Sequence, residues 1–155
     1  MKNHSSKKVK YTLLFSIFIL LNSCALKPII SEYSFVKTSL QGVHLDNLGN
    51  GKILIYNGAD IFHKIDNTAR LNIWIDDKPL GQIRAREYVI INLKEGDYTF
   101  KALHIDVVKF RSKHHVEINA NTKVIKIKPN LGSNKLWITN EMPKKFKKYN
   151  HAKKR

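Results

Sequence analysis

Arg70-Leu-Asn-Ile-Trp-Ile75, continued by Asp76-Asp-Lys-Pro-Leu-Gly81, decides the fold class. Leu71, Ile73 and Ile75 alternate with Asn72 and Trp74, the two-residue period of a half-buried strand. The six residues that follow carry turn chemistry, because Pro79 presets φ and Gly81 tolerates a positive φ. Working outward, Lys52-Ile-Leu-Ile-Tyr56, Glu87-Tyr-Val-Ile-Ile-Asn-Leu93 and Tyr98-Thr-Phe-Lys-Ala-Leu-His-Ile105 repeat the strand signal. So do His114-His-Val-Glu-Ile118, Val124-Ile-Lys-Ile-Lys128 and Lys135-Leu-Trp-Ile-Thr139. Turn residues lie between them at Lys94–Asp97 and Asn119–Thr122. Long helical periodicity is missing, apart from one turn near Ala59–Lys64. About seven short strands of this kind predict an all-β sandwich over residues 51–142.

The N-terminus is of another kind. Lys2, Lys7, Lys8 and Lys10 precede the apolar run Tyr11-Thr-Leu-Leu-Phe-Ser-Ile-Phe-Ile-Leu-Leu21, which ends at Asn22, Ser23 and Cys24. A charged start, a short greasy middle and small residues at the end make a secretory signal over residues 1–23. The run is shorter than the roughly 17–25 residues that span a bilayer. Residues 24–50 are turn-rich and weakly periodic. They read as a tether, with a first edge strand near Tyr33–Lys37.

Leu21-Asn-Ser-Cys24 resembles the lipobox of bacterial lipoproteins: Leu, a small residue, Gly/Ala/Ser, then Cys. Asn22 departs from that pattern. The resemblance implies cleavage before Cys24, a diacylglyceryl thioether on its sulfur, and a lipid anchor in the bacterial cell envelope. Ala25, where aspartate would retain such proteins at the inner membrane, implies the outer membrane, facing the periplasm. A plain leader with a free thiol and an uncleaved anchor share the same residues. Farther along, Leu71–Gly81 followed by Tyr88–Phe100 resembles the hairpin signature of PEGA-like domains and of an uncharacterised family of small bacterial lipoproteins. That resemblance covers roughly residues 52–140. It implies a prealbumin- or transthyretin-like sandwich and a non-catalytic envelope module.

Removal of residues 1–23 would leave one domain with a modest core and no disulfide to support it. The mature part holds 24 Lys and Arg against 12 Asp and Glu, or +12. Seven of those cations fall in residues 144–155, which contain no acid. The domain is mildly basic and the segment from 143 onward strongly so. With 23 Lys against 5 Arg, and many Ile and Asn, part of the excess also fits A/T-biased codons. Residues 143–155 read as a disordered, solvated tail with too little apolar surface to offset its ordering entropy. Lys144, Lys145, Lys147, Lys148, Lys153, Lys154 and Arg155, with Phe146 and Tyr149 between them, suit an anionic surface: lipid, lipopolysaccharide or peptidoglycan. Export makes nucleic acid an unexpected partner, although the same charges would bind it without specificity.

Catalytic patterns are not found. His114 and His115 are neighbours, so on a strand they point to opposite faces. His44, His63 and His104 lack metal-ligand spacing, and His4 and His151 fall in the leader and the tail. Asp76-Asp77 and Glu95-Gly-Asp97 fit turns better than shared protons. Gly49-Asn-Gly51-Lys52 is not a phosphate loop. The expectation is a non-enzymatic protein with no cofactor. It would touch an envelope protein or polymer, or alternatively hold a small glycan or lipid against Trp74 or Trp137.

Overall fold

The structure, a computed structural model, describes residues 26–59, 69–106 and 108–155. The leader, Cys24, His63 and nearly all of the expected helical turn at 59–64 lie outside the described residues.

Nine strands fall into two sheets. One sheet contains β1 (Lys52–Asn57), β4 (Glu87–Asn92), β7 (Val124–Asn130), β8 (Ser133–Ile138) and β9 (Asn150–His151) in the order β8-β7-β1-β4-β9. The other contains β2 (Leu71–Ile75), β3 (Lys78–Ile83), β5 (Gly96–Ile105) and β6 (Lys109–Ile118) in the order β3-β2-β5-β6. Pairing is antiparallel except for β1 with β7 and β4 with β9. The two inner faces close on Ile53, Ile55, Leu71, Ile73, Ile75, Val89, Ile91, Phe100, Ile125 and Ile127, all fully buried. These are the alternate positions that the strand period predicts.

Strands β1 and β4 at the centre of the five-stranded sheet are buried on both faces, which explains why Ile53–Tyr56 and Tyr88–Ile91 are apolar without a break. Leu54, Tyr56, Tyr88, Ile90 and Val124 point away from the sandwich interior. Val43 and Leu48 cover them from one side; Met142, Phe146 and Tyr149 cover them from the other. Strand β6, by contrast, exposes every second residue toward solvent.

Three expectations are corrected. First, residues 78–83 form a strand and not a wide turn. The reversal is confined to Asp76 and Asp77, both at positive φ (48° and 64°), as a two-residue type I′ hairpin requires. Pro79 is tolerated because β3 is an edge strand, where a missing N–H costs no ladder bond. The pairing slips by one residue at Leu80, and Gly81 takes φ +112° at that bulge. Second, residues 26–50 are laid on the domain and do not stand off as a tether. Gln82 Nε2 donates to the Leu26 carbonyl (3.0 Å) and Asn72 Nδ2 to that of Lys27 (2.8 Å). The Glu32 and Val36 amides donate to the Pro79 and Ile90 carbonyls. The edge strand expected near Tyr33–Lys37 is instead an extended strap.

Third, the C-terminal segment is folded. A 3-10 turn over Phe146–Lys148 leads into β9, and Ala152 is buried in the main core. Phe146 lies on Tyr88 at 5.0 Å between ring centroids, and Tyr149 meets Tyr56 edge-on at 5.8 Å. Aromatic burial and a half-buried ion pair between Arg155 and Glu87 hold what charge alone would leave in water.

Candidate functional site

Two concave surfaces lie on opposite outer faces of the sandwich. On the four-stranded sheet, cross-strand register places Trp74 beside Lys101 and Lys113, and Asn72 beside Leu103 and Arg111. Trp74, Lys101, Leu103, Arg111 and Lys113 shape a groove of about 450 Å³, with Trp74 and Leu103 as its apolar part. Lys101 is ion-paired with Asp77, so one of its cations is already engaged. On the other outer face, Leu40, Val43, Leu45, Met142 and Phe146 line a more apolar groove of about 780 Å³. That volume is in the range that holds small ligands.

Trp74 and Trp137 do not form one surface. Trp137 faces outward from the five-stranded sheet, paired with Lys126, whose ammonium lies 5.6 Å from its ring centre. The basic residues of the C-terminal segment divide as well. Lys144, Lys145, Lys147, Lys148 and Lys153 remain exposed. Lys154 sits over the Phe35 ring at 5.9 Å. Arg155 is withdrawn: its guanidinium bonds the Glu87 carboxylate (2.9 Å) and the Gln82 carbonyl (3.3 Å), with both charged side chains about 15% exposed. It is therefore a clamp on the fold and not a contact for an anionic surface.

His151, expected in a flexible tail, packs against Tyr88 at 5.3 Å and Phe35 at 5.8 Å. His104 is buried and joins the two sheets. The Asn134 amide nitrogen donates to the carbonyls of Ala102 (3.0 Å) and Phe110 (3.1 Å). Its Oδ1 is thus turned to His104 Nδ1 at 2.7 Å, which assigns the ring proton to Nδ1. His114 Nε2 reaches the Asn134 carbonyl at 2.9 Å. Asp76 Oδ1 accepts the Thr99 amide (2.7 Å), tying the hairpin to β5. Among the described residues, no three His, Cys, Asp or Glu converge as a metal site, and no helix is long and apolar enough to cross a membrane.

The electrostatics of the aromatic cover follow burial. Tyr56 is pushed up to about 12, chiefly by burial and then by Tyr149 and Glu141. Tyr88 and Tyr149 are raised for the same first reason. Burial lowers Arg84, and the neighbouring Arg155 and Arg70 add to that against the pull of Glu87. The tyrosines are thus neutral and serve as packing surface.

The larger groove was missed by sequence reasoning because its walls come from segments read as tether and tail. Leu40, Val43, Leu45 and Phe146 were the available signal, but they follow neither strand nor helix period. No family model, no curated protein and no solved structure matches the chain.

Proposed function

We propose that the chain is a non-enzymatic lipoprotein of the bacterial cell envelope, anchored by acyl chains on Cys24 and using its sandwich to contact another envelope component. The observation that carries this reading is the leader ending at Leu21-Asn-Ser-Cys24, two residues before Leu26, which is held on the domain by Gln82. An anchor placed there would leave a single residue, Ala25, between lipid and domain. One acyl chain binds membranes marginally and two bind stably, at about 0.8 kcal/mol per buried methylene. Ala25 supports the outer membrane, with the domain in the periplasm. The β2–β3 hairpin at Asp77–Gly81 supports a PEGA- or transthyretin-like module. The exposed Lys144, Lys145, Lys147 and Lys148 suit an anionic polymer or a lipid headgroup. Cys24→Ala is expected to release the domain from the membrane pellet into the soluble fraction. Retention of the variant in the pellet would refute the anchor.

A second reading is favoured by the groove at Leu40, Val43, Leu45, Met142 and Phe146: a periplasmic module that holds an acyl chain or a similar apolar ligand. Titration with a fluorescent fatty acid should then give a saturable rise in emission that Leu45→Lys abolishes. No saturable rise in the unsubstituted protein would remove this reading.

A further inference from the structure

The geometry points to a membrane-docking end of the sandwich, formed by Val108 and Leu131 as apolar tips and by Lys27, Lys109 and Arg111 as contacts for anionic lipid headgroups. This rests on the anchored reading above and adds an orientation to it.

Four observations converge. The first is where Leu26 and Lys27 lie. Leu26 and Lys27 are held by Gln82 and Asn72, and Asn72 pairs with Leu103, two residues from the end of β5. Two residues of chain reach about 7 Å at most, so a lipid on Cys24 would start within about that distance of Leu26. The domain would lie flush on the bilayer, at the end where β5 finishes.

The second is that two of the exposed aliphatic side chains, though not Ile30 or Ile138, share this end. Val108, just before β6, is 56% exposed, and Leu131, between β7 and β8, is 84% exposed. Asn134 holds the β7–β8 reversal against Ala102 and Phe110 of the β5–β6 pair, and the His104 ring stacks on Phe110 at 5.2 Å. The strand ends that carry the two tips are therefore held together. Single exposed aliphatics are ordinary on a protein surface; two presented together beside an anchor are what an interface between lipid and water accepts.

The third is a contrast between the ends. Reversals at the opposite end present Asp76-Asp77, Lys94-Glu95 and Asn119-Ala120-Asn121, which offer polar groups. The fourth is charge. Lys27, Lys109 and Arg111 are exposed toward this end, and Asp106 is the carboxylate nearest in sequence to Lys109 and Arg111. Each cation near an anionic surface favours the docked state by about fivefold, and salt weakens the effect.

The full-length acylated chain in vesicles of phosphatidylethanolamine and phosphatidylglycerol provides the test. Cys24 is the sole cysteine of the chain, and acylation occupies its sulfur. Val108→Cys, Leu131→Cys and Glu95→Cys can therefore each carry one thiol-linked fluorophore, the last about 30 Å away along β5. Probes at positions 108 and 131 are expected to shift to the blue and to be quenched several-fold more by brominated lipid than the probe at 95. Lys109→Gln with Arg111→Gln should lower the docked-to-free ratio about fivefold for each cation lost. Equal, water-like emission at all three positions, in a chain that still floats with the vesicles, overturns the docking and leaves the anchor standing. Labelling of Cys24 itself in the unsubstituted chain shows a free thiol, and the anchor and the docking then fall together.

Discussion

Deletion of residues 144–155 is expected to unfold the domain or bring it to the edge of unfolding. The segment is rich in lysine, yet its apolar members are built into the molecule. Phe146 and Tyr149 cover Tyr88 and Tyr56, and Ala152 closes the core with its amide on the Tyr88 carbonyl (2.8 Å). Full burial of a large side chain contributes about 1.5–3 kcal/mol, so the two partly buried rings together contribute roughly 2–3 kcal/mol. Loss of Arg155 also leaves the Glu87 carboxylate half-buried without its partner, which adds a desolvation cost. Natural domains are stable by about 5–15 kcal/mol, so the deletion removes a large share. Urea unfolding followed by circular dichroism checks this. A midpoint equal to that of the full chain would mean that the segment is the solvated coil its composition suggests.

Asn134→Leu is expected to cost about 3–5 kcal/mol with little change in the slope of the denaturant curve. The side chain is 1% exposed and bridges β8 to both β5 and β6. Leucine has the same number of side-chain heavy atoms but would remove the bonds to the Ala102 and Phe110 carbonyls and to His104 Nδ1. Each buried polar group left without a partner costs about 1–3 kcal/mol. Since β6 and β8 are the adjoining edges of the two sheets, the same variant should speed amide exchange in both strands. A loss below about 1 kcal/mol would show that water can replace the asparagine, and that the edges do not depend on it.

The sandwich was legible because its inward residues obey a two-residue period. Leu71, Ile73 and Ile75 occupy the core side that their alternation implies, and Phe100, Ala102 and His104 are buried likewise. Strand β3 was not legible, because Pro79 and Gly81 are turn residues by habit and strand residues here by virtue of an edge and a bulge. Glu95-Gly96-Asp97 resembled a hairpin but is a crossing, since β4 and β5 belong to different sheets. The strap and the C-terminal segment escaped for a different reason. Their anchoring side chains (Leu26, Val43, Leu48, Phe146, Ala152) are spaced irregularly, and Val43, Leu48 and Phe146 are recruited by a sheet whose outer face is itself apolar. Once that face is known, the uninterrupted run Ile53-Leu-Ile-Tyr56 reads as a demand for a second cover. The site was legible only in part. Trp74 was read as outward-facing, but its partners Leu103 and Arg111 come from the register of β2, β5 and β6, which no local pattern encodes.

The lipid on Cys24 underlies both the proposed function and the proposed orientation. Intact-mass analysis of the protein extracted from its native membranes addresses it without intermediaries. A chain starting at Cys24 and heavier by a diacylglyceryl group is the predicted result; an unmodified thiol, or a chain that still starts at Met1, would contradict it.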